Sequence, residues 1–313
     1  MLRQTLTVSE ENSHIRLDIF LAQNLADVPS RTFVKRLIDN GHVLVNQKPP
    51  KAHDKVEPGD SVVVEIPAAD PESDVKAEKI PLNIFYEDEC LLIVNKPAGM
   101  LVHPVHGYHS GTLVNALMHH CKSLSSINTS DENEERQDAA LIRPGIVHRL
   151  DRETSGLMVV AKDNATHVDL ARQFERHKVR KRYVALVKGH VEFDEGVIDV
   201  PLGRHPRHWD KKAVSFEETA KAATTYYRVL KRFDREATLI ALFPKSGRTH
   251  QLRVHMAHLG HPILGDDKYG GAELFPRLAL HAQAIGFFHP RFKIFVEFFS
   301  MIPREFFPAG LQR

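Results

Sequence analysis

Residues 144–163, PGIVHRLDRETSGLMVVAKD, decide how this chain is read. Two short apolar runs, 146–147 and 157–161, flank a polar knot of His148, Arg149, Asp151, Arg152, Glu153, Thr154 and Ser155. Apolar runs of this length, interrupted by ionisable groups, read as buried strands joined by a loop that rises from a sheet into a cleft. An aspartate in such a loop ordinarily pairs with a nearby arginine or caps a turn. On its own residues the knot therefore favours a structural Asp151. A catalytic reading has to come from elsewhere in the chain.

The 313 residues allow a full-size domain and a smaller one. A composition of 42% hydrophobic and 26% charged residues is that of an ordinary soluble globular protein. No apolar run reaches the roughly 18 residues needed to span a bilayer. The N-terminal MLRQTLTVSEEN has neither an apolar signal region nor a small-residue cleavage site. Two lone cysteines, Cys90 and Cys121, give no disulfide framework, so the expected compartment is a reducing cytoplasm.

The net charge of +2 is unevenly spread. Residues 1–70 carry 8 basic and 10 acidic side chains, residues 71–140 carry 5 and 11, and residues 141–313 carry 29 and 19. The positive excess thus shares the C-terminal half with the polar knot. Clusters at 176–182 (RHKVRKR) and 204–212 (RHPRHWDKK) suit phosphate contacts, although a single such cluster more often marks a solvated face.

From the N-terminus, residues 14–67 read as a self-contained module. Ile15, Ile19, Phe20 and Leu25 give a first helix. Ser30 caps a second, with Phe33, Val34, Leu37 and Ile38 on one face and Gly41 ending it. Arg31, Lys35 and Arg36 lie within about one turn, largely off that face. Strands follow at 43–45 and 61–66, with turns at 46–47 and 57–60. Residues 68–80 are a polar linker, and the Ser/Asn/Glu-rich 122–140 an exposed loop.

Beyond residue 81, strands are expected at 83–86, 91–94, 157–161, 183–187, 197–200, 224–230, 238–243 and 292–299, and helices at 112–120, 165–177 and 249–259. Strands outnumber helices with no βαβ rhythm and no internal repeat. The expected class is α+β, with a large mixed, mostly antiparallel sheet.

Three chemistries fit poorly. His250, His255, His258 and His261 lack the HExxH spacing, and His255 lies on the apolar stripe of its helix, so no metal is expected. Ser155 has only the trailing glycine of a nucleophile elbow and precedes a strand where the elbow needs a helix. No glycine-rich phosphate cradle is present, which argues against ATP- or NAD-driven chemistry. What remains is a carboxylate with arginines and an aromatic. Asp151 can act as a covalent nucleophile if an arginine such as Arg253 holds it ionised. Tyr183 offers a flat face for a base and a phenol.

Two resemblances join these pieces. The module RLDIFLAQNL…SRTFVKRLIDNGHVLVNQK…VEPGDSVVVEI resembles the S4 RNA-binding domain, whose basic second helix lies on structured RNA. The segments IPLNIFYEDECLLIVNKPAGMLVHP, GIVHRLDRETSGLMVVAKD, KRYVALVKG and SGRTHQLRVHMAHLGHPILGDDKYGG resemble the motifs of the RluA-type family of RNA pseudouridine synthases. With PLGRHP after the tyrosine strand and an S4 module in front, the likeness is to the branch that modifies large-subunit ribosomal RNA.

The resemblance implies a catalytic domain over 81–313 behind an S4-like module over 1–67. It implies Asp151 as nucleophile, Tyr183 as the stacking and proton-handling residue, and Arg253 as the partner of the aspartate. Arg149 would enter the space left by a flipped nucleotide, and Leu280 would pack against the base. The basic helix residues would contact RNA. The implied substrate is RNA, with no cofactor, no membrane partner and a monomeric enzyme. Two other readings compete: an RNA-binding assembly factor with an inert knot, and a histidine-based metal hydrolase.

Overall fold

A computed structural model describes residues 2–25, 31–66, 75–105, 108–125, 143–208, 210–233, 236–270 and 275–307. It describes their side chains as well, apart from those of residues 2, 31–33, 36 and 66. The cap expected at Ser30, residues 68–74 of the linker and residues 126–140 of the acidic loop lie outside the described residues. The chain divides into two compact units, residues 1–76 with 126–144, and residues 77–125 with 145–313.

The first unit holds strand β1 (Leu2–Thr7), helices α1 (Leu17–Asn24) and α2 (Arg31–Asp39), and strands β2 (Val43–Val45) and β3 (Ser61–Ile66). The strands pair antiparallel in the order β1-β3-β2. Leu17, Phe20 and Leu21 of α1 and Val34, Leu37 and Ile38 of α2 bury against Val43, Val62 and Val64. Gly41 ends α2 in the left-handed region at φ +77, where its amide donates to Ile38 O and the next amide to Leu37 O. The reading from sequence missed β1, whose alternation of half-buried Gln4 and Leu6 with exposed Arg3 and Thr5 is weak and partly polar.

The second unit begins with strands β4 (Ile84–Glu87) and β5 (Leu91–Lys96) and helix α3 (Leu113–His120). Strand β6 (Ser155–Ala161), helix α4 (Asn164–Glu175) and strand β7 (Arg180–Lys188) follow, then β8 (Glu195–Asp199), β9 (Leu202–Arg204) and β10 (Lys212–Val214). The C-terminal part adds β11 (Thr224–Phe233), β12 (Ala237–Pro244), helix α5 (Gln251–His258), β13 (Leu280–Phe288) and β14 (Phe295–Phe299). One sheet runs β4-β5-β6-β13-β7-β12-β11-β8, with β14 also on β13, while β9 and β10 form a separate ribbon. Among the described residues its one parallel contact is β6 with β13, so the sheet is mixed and mostly antiparallel, as expected.

Strand β6, the end of the deciding stretch, is buried along its whole length. Each of its large apolar side chains contributes about 1.5–3 kcal/mol by leaving water. Asp163 then caps α4 by accepting the Thr166 amide at 2.8 Å. Strand β13 was not foreseen. Its LHAQAIGFF is buried on both faces and mixes His, Gln and Gly with small residues, so no alternation is visible. It is the strand that joins the two halves of the sheet.

The same strand explains why the knot leaves the sheet. Only His281 and Ala282 of β13 pair with β6, because β13 takes β14 as its partner from Ala284 onward. The rest of β6 needs another neighbour on that side. Ile146 bridges Val160, and the Val159 amide donates to His148 Nε2 at 3.0 Å. Burial pushes the His148 pKa down to about 3, which keeps that acceptor neutral. Where β6 and β13 do meet, a Cβ on Gly156 would lie 2.3 Å from Ala282 O, and φ is +126. Only glycine fits there.

Candidate active site

The knot closes as a turn, with the Thr154 amide donating to Asp151 O at 3.1 Å. Arg152 O accepts the Gly99 amide at 2.9 Å, and Arg152 Nε donates to Gly99 O at 3.1 Å. Lys96, fully buried at the end of β5, completes the clamp. Its Nζ donates to Pro97 O at 2.9 Å, Met100 O at 2.8 Å and Arg152 O at 3.0 Å. Burial lowers its pKa to about 8, against the opposing pull of the Asp151 and Glu153 carboxylates.

A cavity of about 80 Å³ opens over this turn. Its walls include Arg149, Asp151, Tyr183, Arg253 and Leu280, the five residues that the resemblance places at the reaction. They come from the knot, β7, α5 and the start of β13. Tyr183 sits opposite Leu242 of β12 and Ala282 of β13, and Leu280 is buried. Burial, with the Asp151 carboxylate adding, holds the Tyr183 phenol above its usual range, so the hydroxyl keeps its proton at neutral pH. Arg149 is exposed at the rim. Lys35 is exposed on α2 in the other unit; the side chains of Arg31 and Arg36 lie outside the described ones.

Arg253 is anchored by more than the aspartate of the knot. It is buried, and its guanidinium forks onto Asp266, Nε to Oδ2 at 2.8 Å and Nη2 to Oδ1 at 2.7 Å. Its Nη1 lies 3.5 Å from Asp151 Oδ2, so the aspartate of the knot takes the remaining edge of the fork. The ring of Tyr269 lies under the guanidinium, 5.2 Å from its carbon to the ring centre. Burial opposes the charge, but the hydrogen bonds and charge of Asp266, with Asp151 adding, hold it firmly. Asp266 also accepts the amides of Lys268 and Tyr269 at 3.0 and 3.1 Å.

Asp266, Lys96 and His250 were passed over in the sequence. Asp266 had one legible signal: a buried arginine needs a counter-charge, and GDD at 265–267 supplies acidic candidates. His250 looked like one histidine of four. In the structure it lines the cavity in the left-handed conformation, φ 57 and ψ 15, and its Nδ1 lies 2.9 Å from Tyr269 Oη. His255 is buried, with Nδ1 2.9 Å from Thr225 Oγ1 and Nε2 3.2 Å from Val200 O. Ser155 is bonded to His281 Nδ1 at 2.9 Å, not to His148, and His281 Nε2 faces Ser300 Oγ at 2.8 Å.

Two clusters among the described residues have donors close enough for a metal, Glu87 with His120 and Cys121, and Asp88 with Cys90 and His289. Neither includes a wall of the cavity. In the second, His289 Nδ1 accepts the amides of Arg291 and Phe292, which leaves Nε2 as the donor to Asp88 at 2.8 Å. A larger cavity of about 330 Å³, with His205, Lys212, Val254 and Tyr269 among its walls, contains none of the five residues.

Comparison with known proteins gives a consistent result. Residues 90–258 match the model of the RNA pseudouridylate synthase family, and residues 15–62 match the S4 domain. The chain is 44% identical over 303 residues to the uncharacterized RNA pseudouridine synthase YlyB of Bacillus subtilis, covering 96% of this chain and 94% of the relative. It is 37% identical over 317 residues to ribosomal large subunit pseudouridine synthase D of Escherichia coli K12, covering 96% and 91%. Among solved structures, human RNA Pseudouridylate Synthase Domain Containing 1 superposes with a TM-score of 0.58 at 26% identity, over 79% of this chain and 89% of that one.

Proposed function

This chain belongs to the RNA pseudouridylate synthase family, and from that premise we propose that it isomerises uridines of large-subunit ribosomal RNA with Asp151 as the nucleophile. Pseudouridine synthesis on RNA is the activity of the family; the ribosomal target is carried over from the name of the relatives. The observation that carries the assignment of Asp151 is its place in the cavity wall, 3.5 Å from Arg253 and in one enclosure with Tyr183.

The reaction breaks the bond from C1′ to N1 of uracil and forms one from C1′ to C5. The C5 proton is lost and N1 regains a proton, so atoms balance and no cofactor is consumed. The target uridine first leaves its stack, at a cost of a few kcal/mol that is smallest in a loop. Asp151 then attacks C1′ or C6, or deprotonates the sugar to give a glycal. Each route needs a carboxylate, and the Arg253 guanidinium stands 3.5 Å from it. Tyr183 stacks on the detached base and relays the C5 proton through its phenol oxygen as its own proton leaves toward N1, Leu280 packs against the base, and Arg149 at the rim fills the vacated stack.

The S4 module over 1–67, with Arg31, Lys35 and Arg36, supplies a second RNA contact, joined through 68–80 to the catalytic domain over 81–313. The enzyme works as a cytoplasmic monomer in this reading; no helix of the described residues is long and apolar enough to cross a membrane. The test is pseudouridine mapping by carbodiimide modification and primer extension, in strains that lack the gene or carry Asp151→Asn. Loss of the same large-subunit positions in both is the expected result. Retention of every pseudouridine by Asp151→Asn would overturn the nucleophile.

A further inference from the structure

His250 is a residue of the cavity wall that the mechanism above does not use. Its backbone occupies the left-handed region, a conformation that costs a non-glycine residue on the order of 1 kcal/mol. It stands at the N-cap of α5, yet its side chain makes no capping hydrogen bond. The first turn is tied instead by Gln251, whose Oε1 accepts from Ser246 Oγ at 2.7 Å and the Arg248 amide at 3.1 Å. The His250 backbone opens the helix, its carbonyl accepting the Val254 amide at 2.9 Å. It turns the imidazole into the wall of the cavity that holds Asp151.

The proton on that imidazole is fixed by its neighbours. Tyr269 Oη already accepts the Lys212 amide at 2.9 Å, so its own proton points to His250 Nδ1, 2.9 Å away. Burial raises the Tyr269 pKa to about 12, which keeps that proton in place. Burial likewise lowers the His250 pKa to about 4, so the ring is neutral. With Nδ1 accepting, the one ring proton is on Nε2. No hydrogen bond from a described residue reaches Nε2. Two other donors of the wall are engaged: Lys181 Nζ donates to Ser246 O at 2.9 Å, and the Arg253 fork holds Asp266.

Every route open to Asp151 moves an electron pair onto uracil. Loss of the bond to N1 leaves the ring as an anion with charge on its carbonyl oxygens, and addition at C6 places charge on O4. We infer that His250 is a further catalytic residue, whose neutral Nε2–H donates to a carbonyl oxygen of the flipped uracil as that charge develops. This rests on the pseudouridine synthase reading of the same cavity. A fixed neutral donor suits the task, because it lowers the energy of the anion without handing over a proton that would trap the base.

The test is single-turnover kinetics and RNA affinity of His250→Ala and His250→Gln on a synthetic large-subunit rRNA fragment spanning a mapped target uridine. Removing one such donor lowers rates about 100-fold in comparable sites, so His250→Ala should lose on the order of 100-fold in rate with Kd within about twofold. His250→Gln, whose amide nitrogen can replace Nε2, should regain at least about tenfold. Fragments with 2-thiouridine or 4-thiouridine at the target identify the oxygen: sulfur accepts weakly, so the gap between wild type and His250→Ala should close for one of them. An active wild type with an equally fast His250→Ala, equal loss in the Ala and Gln variants, or a gap unmoved by either thio substitution overturns the role of His250. A wild type that forms no pseudouridine on any large-subunit fragment overturns the underlying reading as well.

Discussion

Arg253 grips Asp266 through two parallel hydrogen bonds, 2.8 and 2.7 Å, and reaches Asp151 with its remaining nitrogen at 3.5 Å. The order of support runs from the 266–269 turn to Asp266, from Asp266 to the guanidinium, and from the guanidinium to the carboxylate in the knot. Arg253 is thus positioned before it positions anything.

Asp266→Asn should therefore damage both stability and catalysis. The pair is buried, with side-chain exposures of 5% and 0%, and losing the Asp266 charge leaves the guanidinium only its longer contacts to Asp151 and Asp267, 3.5 and 3.6 Å. Breaking such a pair costs about 3–5 kcal/mol. The expected result is a lower denaturant midpoint at unchanged m-value, and a slower single-turnover rate at saturating RNA under conditions where the variant is folded. A folded variant with the wild-type rate would show that Arg253 does not orient Asp151.

Lys96 gives a pH prediction whose two halves have opposite signs. Its folded pKa of about 8 lies below the ordinary 10.5, so between those values the unfolded chain holds the extra proton and this residue makes unfolding harder as pH rises. The turn, however, loses a charged donor that serves the carbonyls of Pro97, Met100 and Arg152. The single-turnover rate should fall as pH passes about 8 while the melting temperature does not. Lys96→Met should be slower at neutral pH and lack that alkaline limb. A limb that persists in Lys96→Met would assign it to another group.

The sequence pointed to the candidate site more completely than to the sheet that carries it. Asp151, Tyr183 and Arg253 lie far apart in the chain, and motif resemblance linked them where no periodicity could. Strand β13 stayed hidden because burial on both faces removes alternation, and because His281 and Gln283 look like surface residues until Ser155 and Ser300 are placed beside His281. Asp266 and His250 escaped for a related reason. Their roles depend on partners 13 and 19 residues away, Arg253 and Tyr269, and spacing alone does not reveal a buried hydrogen bond.

Gly156→Ala probes the junction that lifts the knot. The added Cβ would meet Ala282 O at 2.3 Å, on a backbone at φ +126 that side chains avoid. Relief requires β6 and β13 to separate just after Thr154, which bounds the Asp151 turn. The expected cost is at least about 2 kcal/mol, with faster amide exchange at the start of β6 and β13 and a lower turnover rate. Wild-type protection at His281 and Ala282 would mean that the two strands tolerate the extra carbon.

The S4 module must hold RNA despite its balance of 8 basic and 10 acidic residues over positions 1–70. That is possible only if its basic groups concentrate on one face. Lys35 is the described candidate for such a face: Val34, Leu37 and Ile38 of α2 turn inward while Lys35 stays exposed. If it touches a phosphate, Lys35→Ala should weaken large-subunit rRNA binding several-fold near 0.1 M salt and reduce the slope of log K against log salt by about 1. Rates at saturating RNA should not change, because the lysine acts before the uridine is flipped. An unchanged salt slope would exclude a phosphate contact at this position and move the RNA anchor elsewhere on the module.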